Sequence, residues 1–250
     1  MALEETERRA YEAFYLKKIE KELRRWSRSV TGQLESGIVY STFQIQGNFL
    51  DTKRIENTLR DLYQTVGDRF SERTANQLRK IGINAQPLNV SWEDSVDRYF
   101  SNDGAKKIST IKSTYEDDIR KVINETVEAG AKEGLALNQI TNNVVKNLSG
   151  DEWKLSTKFN ADRITRTEVG TALNKARFET IEPHKETTLK WWDALPNART
   201  MHALRDQQTR NNPIPIDQPF EGDLMYPQDP RGDVSDVVNC RCVMRLVKKD

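Results

Sequence analysis

The side chains of this sequence best suited to nucleophilic or metal chemistry are two histidines and two cysteines, and three of the four fall into one constellation. His202 stands within Arg199-Thr200-Met201-His202-Ala203-Leu204-Arg205-Asp206, and the cysteines stand in Asn239-Cys240-Arg241-Cys242. On a helix, His202 and Asp206 share a face because they are four residues apart. On a strand, Cys240 and Cys242 point to the same side because they are two apart. A strand packed beside the helix would gather an imidazole, a carboxylate and two thiols, a mixed ligand set that zinc accepts in a tetrahedron. The single residue between the cysteines is shorter than the roughly two to four of common zinc sites. The competing reading is that both cysteines fill core space as small apolar side chains, with His202 hydrogen-bonded across the same unit.

Other chemistry has less support. His184 follows Pro183 at a helix end, where a cation suits the helix dipole. Cys240 with His202 as base would make a nucleophilic pair, but nothing else in the sequence supports it. The sequence has no G-x-S-x-G, no G-x-x-x-x-G-K-[ST] and no H-E-x-x-H. The P-C-x-x-C of nucleotide deaminases is also missing. A metal-dependent hydrolase or nuclease built on His202, Asp206, Cys240 and Cys242 would draw an acid or base from Asp229, Asp233 or Asp236.

The elements that must position these residues are mostly helices. Leu16, Ile19, Leu23, Trp26 and Val30 recur at steps of three and four, with Gly32 and Gly37 as the expected end. Tyr11, Phe14 and Tyr15 precede this stripe, an apolar excess that suits a partner surface or burial within the chain. Residues 38–49, with Tyr40, Phe43, Ile45 and Phe49, read as a short extended piece or a packing loop. Asp51 is the expected cap of a second helix carrying Ile55, Leu59, Leu62, Val66, Phe70, Leu78 and Ile81, stopped by Gly82. A linker with Pro87 leads to a short helix over residues 92–100 capped by Ser91, then a turn at Asn102-Asp103-Gly104. A third long helix carries Ile108, Ile111, Tyr115, Ile119 and Val122, and Gly130 and Gly134 weaken its end. Asn138 is the expected cap of a helix bearing Ile140, Val144 and Leu148, closed by Ser149-Gly150. The last long helix spans residues 156–182, with Phe159, Ile164, Val169, Ala172, Leu173 and Ala176 inward, and Pro183 stops it.

Beyond Pro183 the texture changes. Residues 188–194, with Trp191 and Trp192, read as a strand whose two tryptophans face opposite ways, one into the core and one toward a contact surface. Residues 199–208 read as a short helix, 211–233 as a long irregular loop, and 237–247 as a final strand. The expected fold is mainly α: an elongated helical N-terminal body, residues 1–135, then residues 136–250, with a small α+β unit from about residue 184. Arg166 and Glu168 would fasten the last long helix to that unit, or else line a solvated face.

Composition sets the outer bounds. Lys and Arg total 39 against 38 Asp and Glu, so no strong field steers the chain onto nucleic acid or anionic lipid. The tail residues Arg241, Arg245, Lys248 and Lys249 give only a weak DNA signal. No apolar run approaches the roughly 18 residues of a membrane span, and the acidic start is no secretory signal. A soluble protein made in the cytosol is expected, with no disulfide framework.

One ordered set of residues resembles a known family. Ile164-Thr165-Arg166-Thr167-Glu168 is followed along one helix by Ala172, Asn174 and Ala176-Arg177, then by Trp192, Arg199-x-x-His202, Pro219-Phe220, Pro227 and Asn239-Cys240-Arg241-Cys242. In this order the set resembles the phage Mu F-like minor head proteins, the head-morphogenesis family of tailed bacteriophages, over roughly residues 136–248. Many members carry Asp-Gly shortly after the histidine, where this chain has Asp206-Gln207-Gln208. The resemblance implies a non-enzymatic virion protein at the portal vertex and capsid interior, made in the cytoplasm of the host bacterium. It implies portal, capsid and scaffold proteins as partners, with a weak DNA contact during packaging or delivery and no membrane. Toxin domains fused to some relatives are not expected in the eight residues after Cys242. No cofactor is required by this role; His202, Cys240 and Cys242 remain candidates for a structural zinc.

Overall fold

The computed structural model describes residues 2–35 and 50–249; the segment 38–49 read above as extended piece or loop lies outside them. The chain is mostly helical, with a small three-stranded antiparallel sheet near the C-terminus. The helices are α1 (Ala2–Glu35), α2 (Lys53–Lys80), α3 (Val90–Ser101), α4 (Asp103–Lys132), α5 (Leu137–Ser149), α6 (Asp151–Ile181), α7 (Thr200–Asn211) and the one-turn α8 (Val234–Val237). The strands are β1 (Thr188–Asp193), β2 (Ile214–Pro215) and β3 (Val243–Lys248), ordered β2-β1-β3. In the register Trp192 pairs with Met244 and Leu189 with Pro215. Among the described residues no helix is long and apolar enough to cross a membrane.

Local signals set several ends. Asp51 accepts a hydrogen bond from the Lys53 N–H at 2.9 Å, as its capping role requires. At the other end of α2, Gly82 adopts φ 84. Its N–H donates to the Arg79 carbonyl and that of Ile83 to the Leu78 carbonyl, the paired bonds that close a helix through a left-handed residue. α1 runs through Gly32 to Glu35, between the two glycines expected to mark its end. Three expected helix starts move. Ser91 lies inside α3, its hydroxyl turned to the Leu88 carbonyl. α5 is opened by Gln139, whose side chain accepts from the Ala136 N–H at 2.8 Å, while Asn138 sits within the helix. α6 starts at Asp151, five positions before the expected residue 156, because Gly150 takes an extended conformation that separates it from α5.

Contact divides the chain into two interleaved units. One comprises Met1–Tyr15, Leu59–Asp103 and Arg163–Asp250; the other comprises Leu16–Thr58 and Gly104–Asp162. The sequence border at residues 135 and 136 falls inside the second unit, because α4 and α5 pack tightly there. A Cβ on Gly130 would come 2.6 Å from Ile140 Cγ1.

The second unit buries Ile19, Leu23, Trp26, Val30 and Leu34 of α1, with Ile55, Ile108, Tyr115, Ile119, Ile123, Val144 and Leu148. A large apolar side chain buried this fully contributes about 1.5–3 kcal/mol. Its buried polar groups satisfy one another: the Trp153 indole donates to Ser27 Oγ at 2.8 Å, Ser27 Oγ lies 2.7 Å from the Tyr115 hydroxyl, and that hydroxyl lies 3.0 Å from Thr157 Oγ1. Phe159, expected inward, is 65% exposed, and Leu155 one turn earlier is 70% exposed. The inward face here runs through Trp153, Thr157 and Ala161, so small and polar residues take positions that an apolar count assigns to Phe159.

The first unit buries Thr188, Lys190 and Trp192 on one face of β1. Trp192 is therefore the core tryptophan of the pair, and Arg210 lies 4.1 Å over the Trp191 ring on the other face. Trp192 joins Ile181, Ile216, Phe220, Leu224, Tyr226, Cys240, Cys242 and Met244 in one apolar cluster.

Candidate functional site

His202 lies in the first turn of α7 and is buried. The two cysteines lie between α8 and β3, in a segment that departs from the expected strand over residues 237–247. Asp233 caps α8 by accepting from the Ser235 N–H at 2.7 Å, Asn239 takes φ 59, and the strand begins only at Val243. The cause is that the intervening carbonyls are committed elsewhere. Arg8 donates to the Cys240 carbonyl at 3.2 Å and the Arg241 carbonyl at 2.8 Å, and Asn174 donates to the Cys242 carbonyl at 3.1 Å. Carbonyls held by side chains leave that stretch without a full strand ladder.

Both thiols nevertheless meet one ring nitrogen. His202 Nδ1 lies 3.5 Å from Cys240 Sγ and 3.3 Å from Cys242 Sγ. The Cys242 N–H donates to Cys240 Sγ at 3.3 Å. On the other side of the ring, Nε2 lies 3.3 Å from Asp236 Oδ1, and Arg205 Nη2 donates to Asp236 Oδ2 at 2.8 Å. A proton on Nε2 serves the carboxylate and leaves the Nδ1 lone pair toward the sulfurs. His202, Cys240 and Cys242 are only 1–3% exposed, and their ligand atoms lie within 4.8 Å of one another. The Trp192 ring covers the imidazole edge-on at 5.4 Å and meets Phe220 at 5.3 Å.

The electrostatics follow from this contact order. The hydrogen bond from Arg205 holds the Asp236 carboxyl below its ordinary value, against burial. Cys240 is held well below the ordinary thiol range, chiefly by its hydrogen bond with Cys242 and further by His202. Cys242 is pushed up, first by the Cys240 sulfur and then by burial. The two sulfurs thus behave as a pair that keeps one proton between them.

Asp206, expected beside His202, does not join them. Its carboxylate accepts from the Ala194 N–H at 2.9 Å and from Arg210 Nε at 2.6 Å. Four residues along a helix are also a rise of about 6 Å, which here carries Asp206 to the end of β1. Of the three loop carboxylates, Asp229 is bound by Arg231 and the Met225 N–H, and Asp233 caps α8; only Asp236 meets the imidazole.

The residues of the ordered motif mostly hold this unit together. Asn174 also accepts from the Met244 N–H at 2.9 Å, and Arg177 donates to the Met244 carbonyl at 2.8 Å. Thr167 Oγ1 accepts from the Asn239 N–H at 2.9 Å. Arg199 donates to the carbonyls of Asp236 and Val238. Arg166 reaches Asn239 Oδ1 at 3.5 Å, in keeping with its fastening role. Glu168 accepts from the Tyr63 hydroxyl on α2 at 2.7 Å, which secures α6 to that helix.

Sequence reasoning missed Gln228 and the charged stripe of α1. Gln228 donates to the Thr167 carbonyl at 3.2 Å and lies against Gly170, where a Cβ would come 1.8 Å from its Oε1. Glu4, Arg8, Glu12 and Tyr15 are buried at helical spacing. They continue the stripe that runs on through Ile19 and Leu23, and only their charge concealed it. Glu12 receives both Arg8 at 3.1 Å and Arg241 at 2.8 Å. A cleft of about 420 Å³ is lined here by Glu4, Arg8, Asp193, Arg210, Arg241 and Arg245, whose charges are already paired with acidic neighbours.

Compared with family models, with curated proteins and with solved structures, the chain matches none.

Proposed function

We propose that the chain is a structural minor head protein of a tailed bacteriophage or prophage, of the Mu F-like type, acting at the portal vertex in head assembly and in DNA packaging or delivery. The observation that carries this reading is what the motif residues do. Thr167, Asn174, Arg177, Trp192, Arg199, His202, Cys240 and Cys242 spend their polar groups and rings on one another and on the backbone of one packed unit. Residues engaged in such work hold a shape to be docked, and shape is what an assembly protein supplies. Its partners are then the portal protein and neighbouring capsid or scaffold proteins, its place the virion after synthesis in the bacterial cytoplasm, and any DNA contact is weak.

The alternative, a metal-dependent hydrolase or nuclease, is the weaker reading. It requires an open ligand position and a nearby acid or base. His202, Cys240 and Cys242 are 1–3% exposed, and Asp206 is committed to Ala194 and Arg210.

The test is co-purification of the full chain with the portal protein encoded beside it. A complex that survives size-exclusion chromatography is expected. Two folded proteins that elute separately at micromolar concentration, together with hydrolytic activity abolished by chelation, would transfer the assignment to the enzyme reading.

A further inference from the structure

We propose that His202 Nδ1, Cys240 Sγ and Cys242 Sγ bind one zinc ion, with Asp236 as the residue that orients the imidazole. The first argument is metric. With zinc bonds of about 2.3 Å to sulfur and about 2.0 Å to nitrogen, a tetrahedron sets sulfur about 3.5 Å from nitrogen. The two nitrogen–sulfur separations are 3.5 and 3.3 Å, so both nitrogen–sulfur edges of such a tetrahedron are already close to length. All three donor atoms lie within 4.8 Å of one another, against about 3.8 Å for the sulfur–sulfur edge, so the thiols would close on an ion.

The second argument is the outer contact. Metal-binding imidazoles usually give their other N–H to a carboxylate, which fixes the tautomer and raises the basicity of the ligand nitrogen. Asp236 occupies that position at 3.3 Å from Nε2, and the Arg205 and Arg199 side chains hold the segment that carries it. A histidine that only packed against two thiols would need no carboxylate behind it.

The third argument is an orphan. Trp192 Nε1 is buried without a hydrogen-bond partner, on the ring that covers the His202 imidazole edge-on. A buried N–H left unmatched costs free energy. A metal-bound thiolate beside that ring would give the N–H an acceptor. Two soft sulfurs and one imidazole select zinc over calcium or magnesium, which take oxygen. The ion would tie the first turn of α7 to the segment entering β3. The cluster holds no further His, Cys, Asp or Glu donor among the described residues.

This site is independent of portal binding, and its test needs no partner. The full chain, purified under reducing conditions without chelator, is assayed for metal by mass spectrometry; about one zinc per chain is expected. After chelation the chain is titrated with cobalt(II). A thiolate-to-cobalt charge-transfer band, with visible bands of tetrahedral intensity, is expected at one equivalent. Cys242→Ser should weaken the charge-transfer band, and Asp236→Asn should keep it while lowering affinity roughly tenfold to a hundredfold. A folded wild-type chain that holds no zinc and shows no charge-transfer band overturns the proposal. So does a Cys242→Ser chain whose band is undiminished.

Discussion

Arg177 and Glu4 form a buried ion pair across 173 residues of sequence, with Nη2 and Oε1 3.1 Å apart. Arg177 also holds the Met244 carbonyl, and Glu4 also receives Arg245 at 2.7 Å. One buried carboxylate therefore links α1 to both α6 and β3. Removing one partner of such a pair leaves the other charge unmatched in a dry setting, at a cost of about 3–5 kcal/mol. Arg177→Met should lower the free energy of unfolding by that amount in urea titration, and a loss under about 1 kcal/mol would show that the pair is not held as described.

The same carboxylate makes stability depend on pH. Burial alone would raise the Glu4 pKa, but the charges of Arg177 and Arg245 outweigh it and lower it from 4.5 to about 2. A carboxyl with a lowered folded-state pKa stabilises the fold above its unfolded value and loses that contribution as pH falls through the folded value. About 3 kcal/mol should disappear between pH 4.5 and pH 2. Glu4→Gln should flatten this part of the profile, measured by denaturant titration at a series of pH values.

Lys190 gives a slope of the same sign in a higher pH range. Burial lowers its pKa from 10.5 to about 7, with Asp229 opposing the shift, and its ammonium donates to the Met225 carbonyl at 2.8 Å beside the Phe178 and Phe220 rings. A folded-state pKa below the unfolded value means that the unfolded chain binds more protons, so stability rises with pH between about 7 and 10.5. Lys190→Met should remove this rise and gain most at or below pH 7. A variant whose profile still climbs as steeply as wild type would assign the slope to another group.

Gly170 and Gln228 should behave as a coupled pair. A Cβ at Gly170 would overlap the Gln228 amide, so Gly170→Ala should cost about 1–3 kcal/mol. In Gly170→Ala/Gln228→Ala the two losses should sum to clearly more than the measured total, because the truncated side chain vacates the space. Strict additivity in thermal or urea unfolding would contradict the contact.

His202→Ala should weaken folding by about 3 kcal/mol, since it empties a buried site between Trp192, the thiols and Asp236. The readouts are unfolding midpoint and portal co-purification. A fully stable His202→Ala chain that fails only in a chemical assay would reverse the structural assignment.

These residues also show what could be read beforehand. The apolar stripes of α2 and α4, the stop at Gly82, the cap at Asp51 and the opposite facing of Trp191 and Trp192 all follow from short-range rules and are present; which of the two tryptophans turns inward does not follow from them. The meeting of His202 with both cysteines was legible too, although through a different backbone: the thiols share a side without lying on a strand. Long-range polar contacts were not legible. Nothing local to residues 240–242 announces that Arg8 and Asn174 claim their carbonyls, and nothing local to β1 announces that Lys190 faces the core. Spacing alone favoured Asp206 over Asp236, and only the position of α8 decides between them.

The charged stripe of α1 bears on how the protein is made. Glu4, Arg8 and Glu12 find their partners in Arg177, Arg241 and Arg245 and in the carbonyls of residues 240 and 241. At roughly 5–20 residues per second of translation, those last partners leave the ribosome about ten to fifty seconds after the first turn of α1. An apolar stripe would spend that interval exposed and prone to clumping with other nascent chains. A stripe of alternating acid and base spends it hydrated, and gives up its water only when the end of the chain arrives.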